Sequence, residues 1–165
     1  MRYLIFSLLF LSSLAHAEIV QICFVPSTTS CTDVVVKQIA AAKSTVLVQA
    51  YGFTSKPIEQ ALVDAFKRGV KGEIILDKSN LEQKWSGLAV MKAAGVLASI
   101  DSTHAISHNK VLVIDDATVI TGSFNLTTSA QKHNAENLIV IRDADVAAAY
   151  TANWQAHRKH AVVQP

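Results

Sequence analysis

The sequence predicts an α/β fold, an α/β/α sandwich built on a mixed and largely buried β-sheet. Three observations predict it. Strand-like apolar runs alternate with helix-like amphipathic segments from residue 19 onward, the pattern that lays helices on the faces of a sheet. Two apolar runs flank Asp115-Asp116 and read as a hairpin, so the sheet contains antiparallel as well as parallel pairs. The stretch from residue 18 to residue 165 shows no internal repeat, linker or low-complexity run and has the size of one domain with its own core.

Each element follows from local pattern. Ile19 to Phe24 reads as a strand, Thr32 as the N-cap of a helix running to about Lys43, and Val46 to Tyr51 as a strand rich in β-branched residues. Ser55 precedes Lys56-Pro57 and an amphipathic helix that Gly69 stops. Val70 to Asp77 is the next strand. Ser79-Asn80-Leu81-Glu82 has the form of a capping box opening a helix that ends near Gly95. Val96 to Ile100, the two arms of the hairpin and Glu136 to Ile141 are strands, and a last helix spans about Ala144 to Lys159.

Residues 1–17 read as a signal peptide rather than as fold. Arg2 is a minimal basic start, Tyr3 to Leu14 an apolar core, and Ala15-His16-Ala17 an A-x-A cleavage site. The apolar run is short of the roughly 20 residues that a spanning helix needs, so no stable membrane insertion is expected and the product is periplasmic or secreted. Fifteen Lys+Arg face 13 Asp+Glu, and loss of Arg2 brings the chain within one charge of neutrality. A broadly basic nucleic-acid-binding surface is thereby excluded, and any grip on a polyanion is local. Cys23 and Cys31 are the two cysteines; in an oxidising compartment they are expected to form a disulfide closing the Phe24 to Ser30 loop.

The stretch His108 to Ser123, H-N-K-V-L-V-I-D-D-A-T-V-I-T-G-S, carries the chemistry. In an extended segment His108 and Lys110 point to the same side and Asn109 to the other. A turn at Asp115-Asp116 returns the chain so that Gly122, Ser123 and Asn125 lie beside His108 and Lys110. Imidazole serves as nucleophile or proton donor, ammonium holds a phosphate, and hydroxyl and amide bond phosphate oxygens. Gly122 is expected to let the backbone approach a ligand closely. The group reads as a phosphodiester-cleaving site.

This pattern resembles the H-x-K-x4-D motif of the phospholipase D superfamily. His108, Lys110 and Asp115 fit the motif, Gly122, Ser123 and Asn125 fit the G-S-x-N that follows, and Glu136 in N-A-E-N-L-I-V-I fits the acidic residue after it. Leu47 to Ile58 and Ile74 to Ser79 also look like the short bacterial endonucleases of that superfamily. The resemblance implies a phospholipase D-like fold and hydrolysis through a phosphohistidine, with one motif histidine as nucleophile and a second as acid. The chain has one such motif, so the resemblance implies a homodimer with its active site at the two-fold interface. Lys110 and Asn125 would hold the phosphate oxygens, Ser123 would be a supporting donor, and Glu136 would accept a hydrogen bond from the far ring nitrogen of His108. Asp115 is expected to be structural, because a carboxylate aimed at a phosphate repels it.

The expected activity is metal-independent cleavage of DNA, with RNA as a further substrate, and no cofactor. A phospholipase D-type lipid hydrolase or phosphatidyltransferase is the first rival and a non-catalytic nucleic-acid-binding protein the second. No metal is expected: His104 and His108 are four apart, but no third ligand stands at a diagnostic spacing. The basic run His157 to His160 reads as a complement to the dipole of the last helix, and Trp85 and Trp154 as helix-borne core or interface anchors.

Overall fold

The computed structural model describes residues 18–165, so the expected signal peptide and cleavage site lie outside the described residues. Eight strands form one sheet: β1 (Glu18–Val25), β2 (Thr45–Ala50), β3 (Lys71–Asp77), β4 (Leu97–Asp101), β5 (Lys110–Ile114), β6 (Thr118–Gly122), β7 (Glu136–Arg142) and β8 (Val162–Val163). Their spatial order is β1-β7-β6-β5-β2-β3-β4-β8. The β2–β3 and β3–β4 pairs are parallel and the others antiparallel. The helices are α1 (Cys31–Ala41), α2 (Lys56–Lys67), α3 (Leu88–Ala93), α4 (Thr128–Lys132) and α5 (Ala144–Arg158). The expected α/β/α sandwich on a mixed sheet is the architecture observed.

Side-chain alternation in the central strands divides the core between the two faces. On one face Leu112 and Ile114 join Val46, Val48, Ile74 and Leu76 under the apolar sides of α1 and α2. On the other, Val111, Val113 and Val119 pack on Ala147 of α5, and Ile75 packs with Trp154 and Ala161. Each such buried aliphatic side chain contributes roughly 1.5–3 kcal/mol. An exposed pair such as Arg142–Glu18, at 3.4 Å with both side chains more than half exposed, contributes at most about 1 kcal/mol, so the two apolar layers decide the fold. Trp154 meets the expectation of a core anchor: it is buried, and its Nε1 donates to the carbonyl of Val48 at 2.9 Å.

Several local expectations are corrected. The N-cap of α1 is Ser30, whose Oγ accepts from Asp33 N; Thr32 lies inside the helix and is buried. Ser79 to Glu82 does not open a helix. Asp77 caps a single 3-10 turn at Lys78–Leu81, its carboxylate accepting from Ser79 N, and α3 begins only at Leu88. The capping-box pattern was present, but the Asp77 carboxylate takes the Ser79 amide that the Glu82 side chain would need. Trp85 therefore sits on a turn and is 67 % exposed, with the Lys84 ammonium 5.1 Å from its ring centroid. Helix α4 and strand β8 are too short to leave a periodic signal.

Cys23 and Cys31 are bonded, joining the end of edge strand β1 to the first residue of α1. Closing this short loop should stabilise the protein by roughly 2–3 kcal/mol. The double variant Cys23→Ser/Cys31→Ser should therefore unfold at lower urea than wild type while keeping its circular dichroism. An unchanged midpoint, or two alkylatable thiols in native unreduced protein, would contradict a structural bridge.

Candidate active site

The chain ends of four adjacent strands meet along one end of the sheet. Lys110 opens β5 opposite Ala50, the last residue of β2, and Gly122 closes β6 opposite Leu138 of β7. The chain beyond β2 continues across this end: Tyr51 N donates to Asn109 O, Phe53 pairs with Leu126, and Thr54 and Ser55 both donate to Leu126 O. Residues 51–55, 107–110, 122–127 and 136 thereby share one small volume. This is also the side of the carboxyl ends of parallel strands β2, β3 and β4, where α/β sheets leave ligand crevices.

Lys110 is 8 % exposed, and its Nζ donates to the carbonyl of His108 at 2.8 Å. Burial pushes its pKa below the ordinary lysine value, and the nearby Glu136 charge opposes that shift. The His108 ring is exposed and tilted against the Tyr51 ring, centroids 4.7 Å apart; among the described residues neither ring nitrogen has a hydrogen-bond partner. The Lys110 ammonium lies 5.2 Å from the same Tyr51 ring. Tyr51 thus backs both groups, a role that composition and spacing gave no means of assigning.

Asn125 is partly buried, and its Oδ1 has no hydrogen-bond partner among the described residues. Such an orphan costs about 1–3 kcal/mol and marks a group kept for a ligand or a water. Gly52 leaves it room: a Cβ there would stand 3.5 Å from Asn125 Oδ1 and only 2.7 Å from Thr127 Cγ2. Beside them lies a cavity of about 440 Å³ lined by Tyr51, Gly52, Ser79, Glu82, Asn125 and Thr127.

The carboxylates do other work. Glu136 accepts from Ser123 Oγ at 2.5 Å and from Asn134 Nδ2 at 2.8 Å. The expected bond from the His108 ring to Glu136 is not formed within the chain; Ser123 and Asn134 are the donors to its two oxygens. Ser123 donates its hydroxyl to Glu136, and its Oγ accepts from Asn137 N. Gly122, at φ 143°, is required by the close approach of β7, since a Cβ would sit 2.4 Å from Asn137 O. The constraint there is strand packing and not ligand approach.

Asp115 bonds backbone well beyond its own turn. Both Asp115 and Asp116 have positive φ, 54° and 52°, the conformation of a tight hairpin turn that Asp tolerates. The Asp115 carboxylate accepts from Lys43 N at 2.9 Å, Ser44 N at 2.7 Å, Ser44 Oγ at 2.8 Å and Thr45 N at 3.0 Å. Asp77 has a similar part at the site itself. Its two oxygens take Ser79 N at 2.9 Å and Ser107 N at 2.8 Å, clamping the residue before His108. Burial alone would raise the Asp77 pKa, but the hydrogen bonds from Ser79 and Ser107 and the Lys78 charge outweigh it and hold it below the ordinary value.

Similarity to known proteins agrees with this geometry. The family described as cardiolipin synthase, PLD-like domain, matches residues 35–158. The chain belongs to the phospholipase D superfamily. It is 44% identical over 148 residues to a phospholipase D of Rickettsia bellii, covering 90% of this chain and 73% of that one. It is 47% identical over 135 residues to a phospholipase D of Rickettsia prowazekii, covering 82% and 65% respectively, so this chain spans under two thirds of that relative. The crystal structure of Nuc, a phospholipase D family member from Salmonella typhimurium, superposes with a TM-score of 0.84 at 31% identity, covering 90% of this chain and 99% of that one. Membership of this superfamily makes phosphodiester chemistry the reaction class of the site.

A charge test separates the scaffold from the chemistry. Burial alone would raise the Asp115 pKa, but the amides of Thr45, Ser44 and Lys43 and the Ser44 hydroxyl lower it from 3.8 to about 2. The stabilisation is fully present above the ordinary value and is lost as pH falls through the folded one. Asp115→Asn, which tolerates the same backbone conformation, should cost roughly 1–2 kcal/mol at neutral pH after allowance for solvent screening. In urea titrations the gap between wild type and variant should close between about pH 4 and pH 2. A gap independent of pH would contradict this assignment.

Proposed function

We propose that the protein is an exported endonuclease that hydrolyses phosphodiester bonds of DNA, and of RNA by the same chemistry, with little sequence preference. The observation that carries this reading is an exposed His108 imidazole, without a hydrogen-bond partner among the described residues, that shares the Tyr51 ring with the buried Lys110 ammonium. An imidazole without a protein partner is available to a substrate, and an ammonium held near it attracts a phosphate. Contacts confined to phosphate carry no base identity, hence little sequence preference. The likeness to Nuc over nearly the whole of that chain favours the short endonuclease branch that the motifs resemble. The Cys23–Cys31 bond supports passage into an oxidising compartment.

In this mechanism an imidazole nitrogen of His108 attacks phosphorus while a second imidazole protonates the departing oxygen. Water then attacks the phosphohistidine, and the histidine is regenerated. Lys110 and Asn125 stabilise the charge on the nonbridging oxygens, so the reaction needs no metal. The second imidazole is His108 of another copy of this chain, brought to the same phosphate by a two-fold axis. Support comes from position: His108 lies on the surface, and Leu81 and Ile106, which line an adjoining cavity, are 55% and 56% exposed apolar residues.

The same apolar rim, together with relatives named phospholipase D, favours a second reading in which the phosphodiester belongs to a lipid. Plasmid DNA, RNA and phosphatidylcholine vesicles assayed side by side in EDTA at 25 °C decide between them. The nuclease reading expects nicking of DNA with His108→Ala inactive and folded. Strict dependence on added Mg²⁺, or activity surviving in His108→Ala, would sink the mechanism, and turnover of vesicles alone would select the lipid reading.

The shared site has its own test. With three His108→Ala chains per wild-type chain and free exchange, activity per wild-type chain should fall to about a quarter, because most wild-type subunits then have a defective partner. Simple dilution behaviour, or full activity in a sedimenting monomer, would show that one chain contains a complete site.

A further inference from the structure

Away from the catalytic volume, the fold gathers Asp101, His104, His157 and His160 so that one ligating atom from each lies within 4.8 Å of all the others. Asp101 is the last residue of β4 and is fully buried, His104 stands in the loop beyond it, His157 lies in the last turn of α5 and His160 in the turn that follows it. The Asp101 Oδ2 lies 2.7 Å from His157 Nδ1, 3.2 Å from His160 Nε2 and 3.3 Å from His104 Nδ1. Its other oxygen accepts from Thr103 N at 3.1 Å and lies 3.4 Å from His104 Nδ1, so His104 faces both carboxylate oxygens. The three rings are packed on one another with centroids 5.0 to 5.5 Å apart.

We propose that these four residues form a structural transition-metal site, with Zn²⁺ as the ion of choice. Three imidazoles and one carboxylate are a borderline donor set that suits zinc and excludes calcium or magnesium, which take oxygen ligands. Zinc bonds of about 2.0–2.1 Å place tetrahedral ligands ~3.3 Å apart; the Oδ2 contacts with His160 and His104, at 3.2 and 3.3 Å, match that edge, while the 2.7 Å contact with His157 must lengthen. The remaining separations, none above 4.8 Å, must close toward the same edge. His104, with 47 % of its side chain exposed, is free to move. Four protein ligands leave no open position, which is the form of a structural site and not a catalytic one.

Ligation would do mechanical work. It ties the loop of residues 102–109, which delivers His108, to the end of α5 and to the end of β4. Asp101 pairs with Asp77 across β4 and β3. Lys110 lies three strand spacings away, about 14 Å, so the metal is remote from the phosphate and the chemistry does not route through it. The site is independent of which phosphodiester is cleaved.

The test uses the full-length mature chain stripped with chelator and dialysed. Added ZnCl₂ should bind at one ion per chain and raise the melting temperature by about 5 °C or more. Co²⁺ in its place should give the intense visible absorption of tetrahedral coordination. His104→Gln and His160→Gln, both at partly exposed positions, should fold as wild type yet lose Zn²⁺ affinity at least tenfold, while His133→Gln and His108→Ala keep it. No saturable binding by wild type, or binding unchanged in both His104→Gln and His160→Gln, would overturn the proposal. Loss of binding in His108→Ala would also overturn it by placing the ion at the catalytic histidine.

Discussion

The carboxylate of Asp115 accepts hydrogen bonds from three successive amides, those of Lys43, Ser44 and Thr45, and the placement of the site depends on that clamp. It fixes where β2 starts relative to the turn of the β5–β6 hairpin. In an antiparallel pair the register at one end dictates the register at the other. With Asp115 held beside Thr45, Ile114 pairs with Val46 and Lys110 with Ala50. A slip by one residue would turn Lys110 to the other face of the sheet and remove it from His108. The motif aspartate thus acts on the reaction through strand register, at the far end of the strand from the phosphate.

At the reactive end the loop before β5 has no regular structure to hold it, and two buried carboxylates take that part. Asp77 and Asp101 end neighbouring parallel strands in the same register. The first receives Ser107 N and the second Thr103 N. Each satisfies loop amides that would otherwise lose solvent without a partner. The loop is consequently pinned near its beginning and just before His108, while the imidazole itself stays exposed.

The sequence made the strands, the hairpin and the long helices legible because each buries a stripe or face of fixed period. Leu112 and Ile114 on one side and Val111 and Val113 on the other are such a pattern. It was less informative wherever two polar groups compete for one amide. Ser79 and Glu82 have capping-box spacing, yet Asp77 takes the amide first. Glu136 has the family position, yet Ser123 and Asn134 occupy its oxygens. Gly122 was legible as a special backbone position but not its cause, since Asn137 O approaches from another strand. The candidate site was legible because His108, Lys110, Ser123 and Asn125 lie on or beside the two ends of one hairpin.

The histidine cluster shows the opposite case. Asp101 and His104 are three apart, as are His157 and His160, and each pair alone is an unremarkable spacing on a loop or at a helix end. What joins them is the packing of α5 across the sheet, set by Trp154 reaching the carbonyl of Val48 and by Ala161 and Ile75 beneath it. Three imidazoles there converge on a single fully buried carboxylate. A divalent ion coordinated by neutral imidazoles and one carboxylate places a compact net charge of one at the site, closes all four ligands around it and leaves His108, on the same loop, free for phosphate.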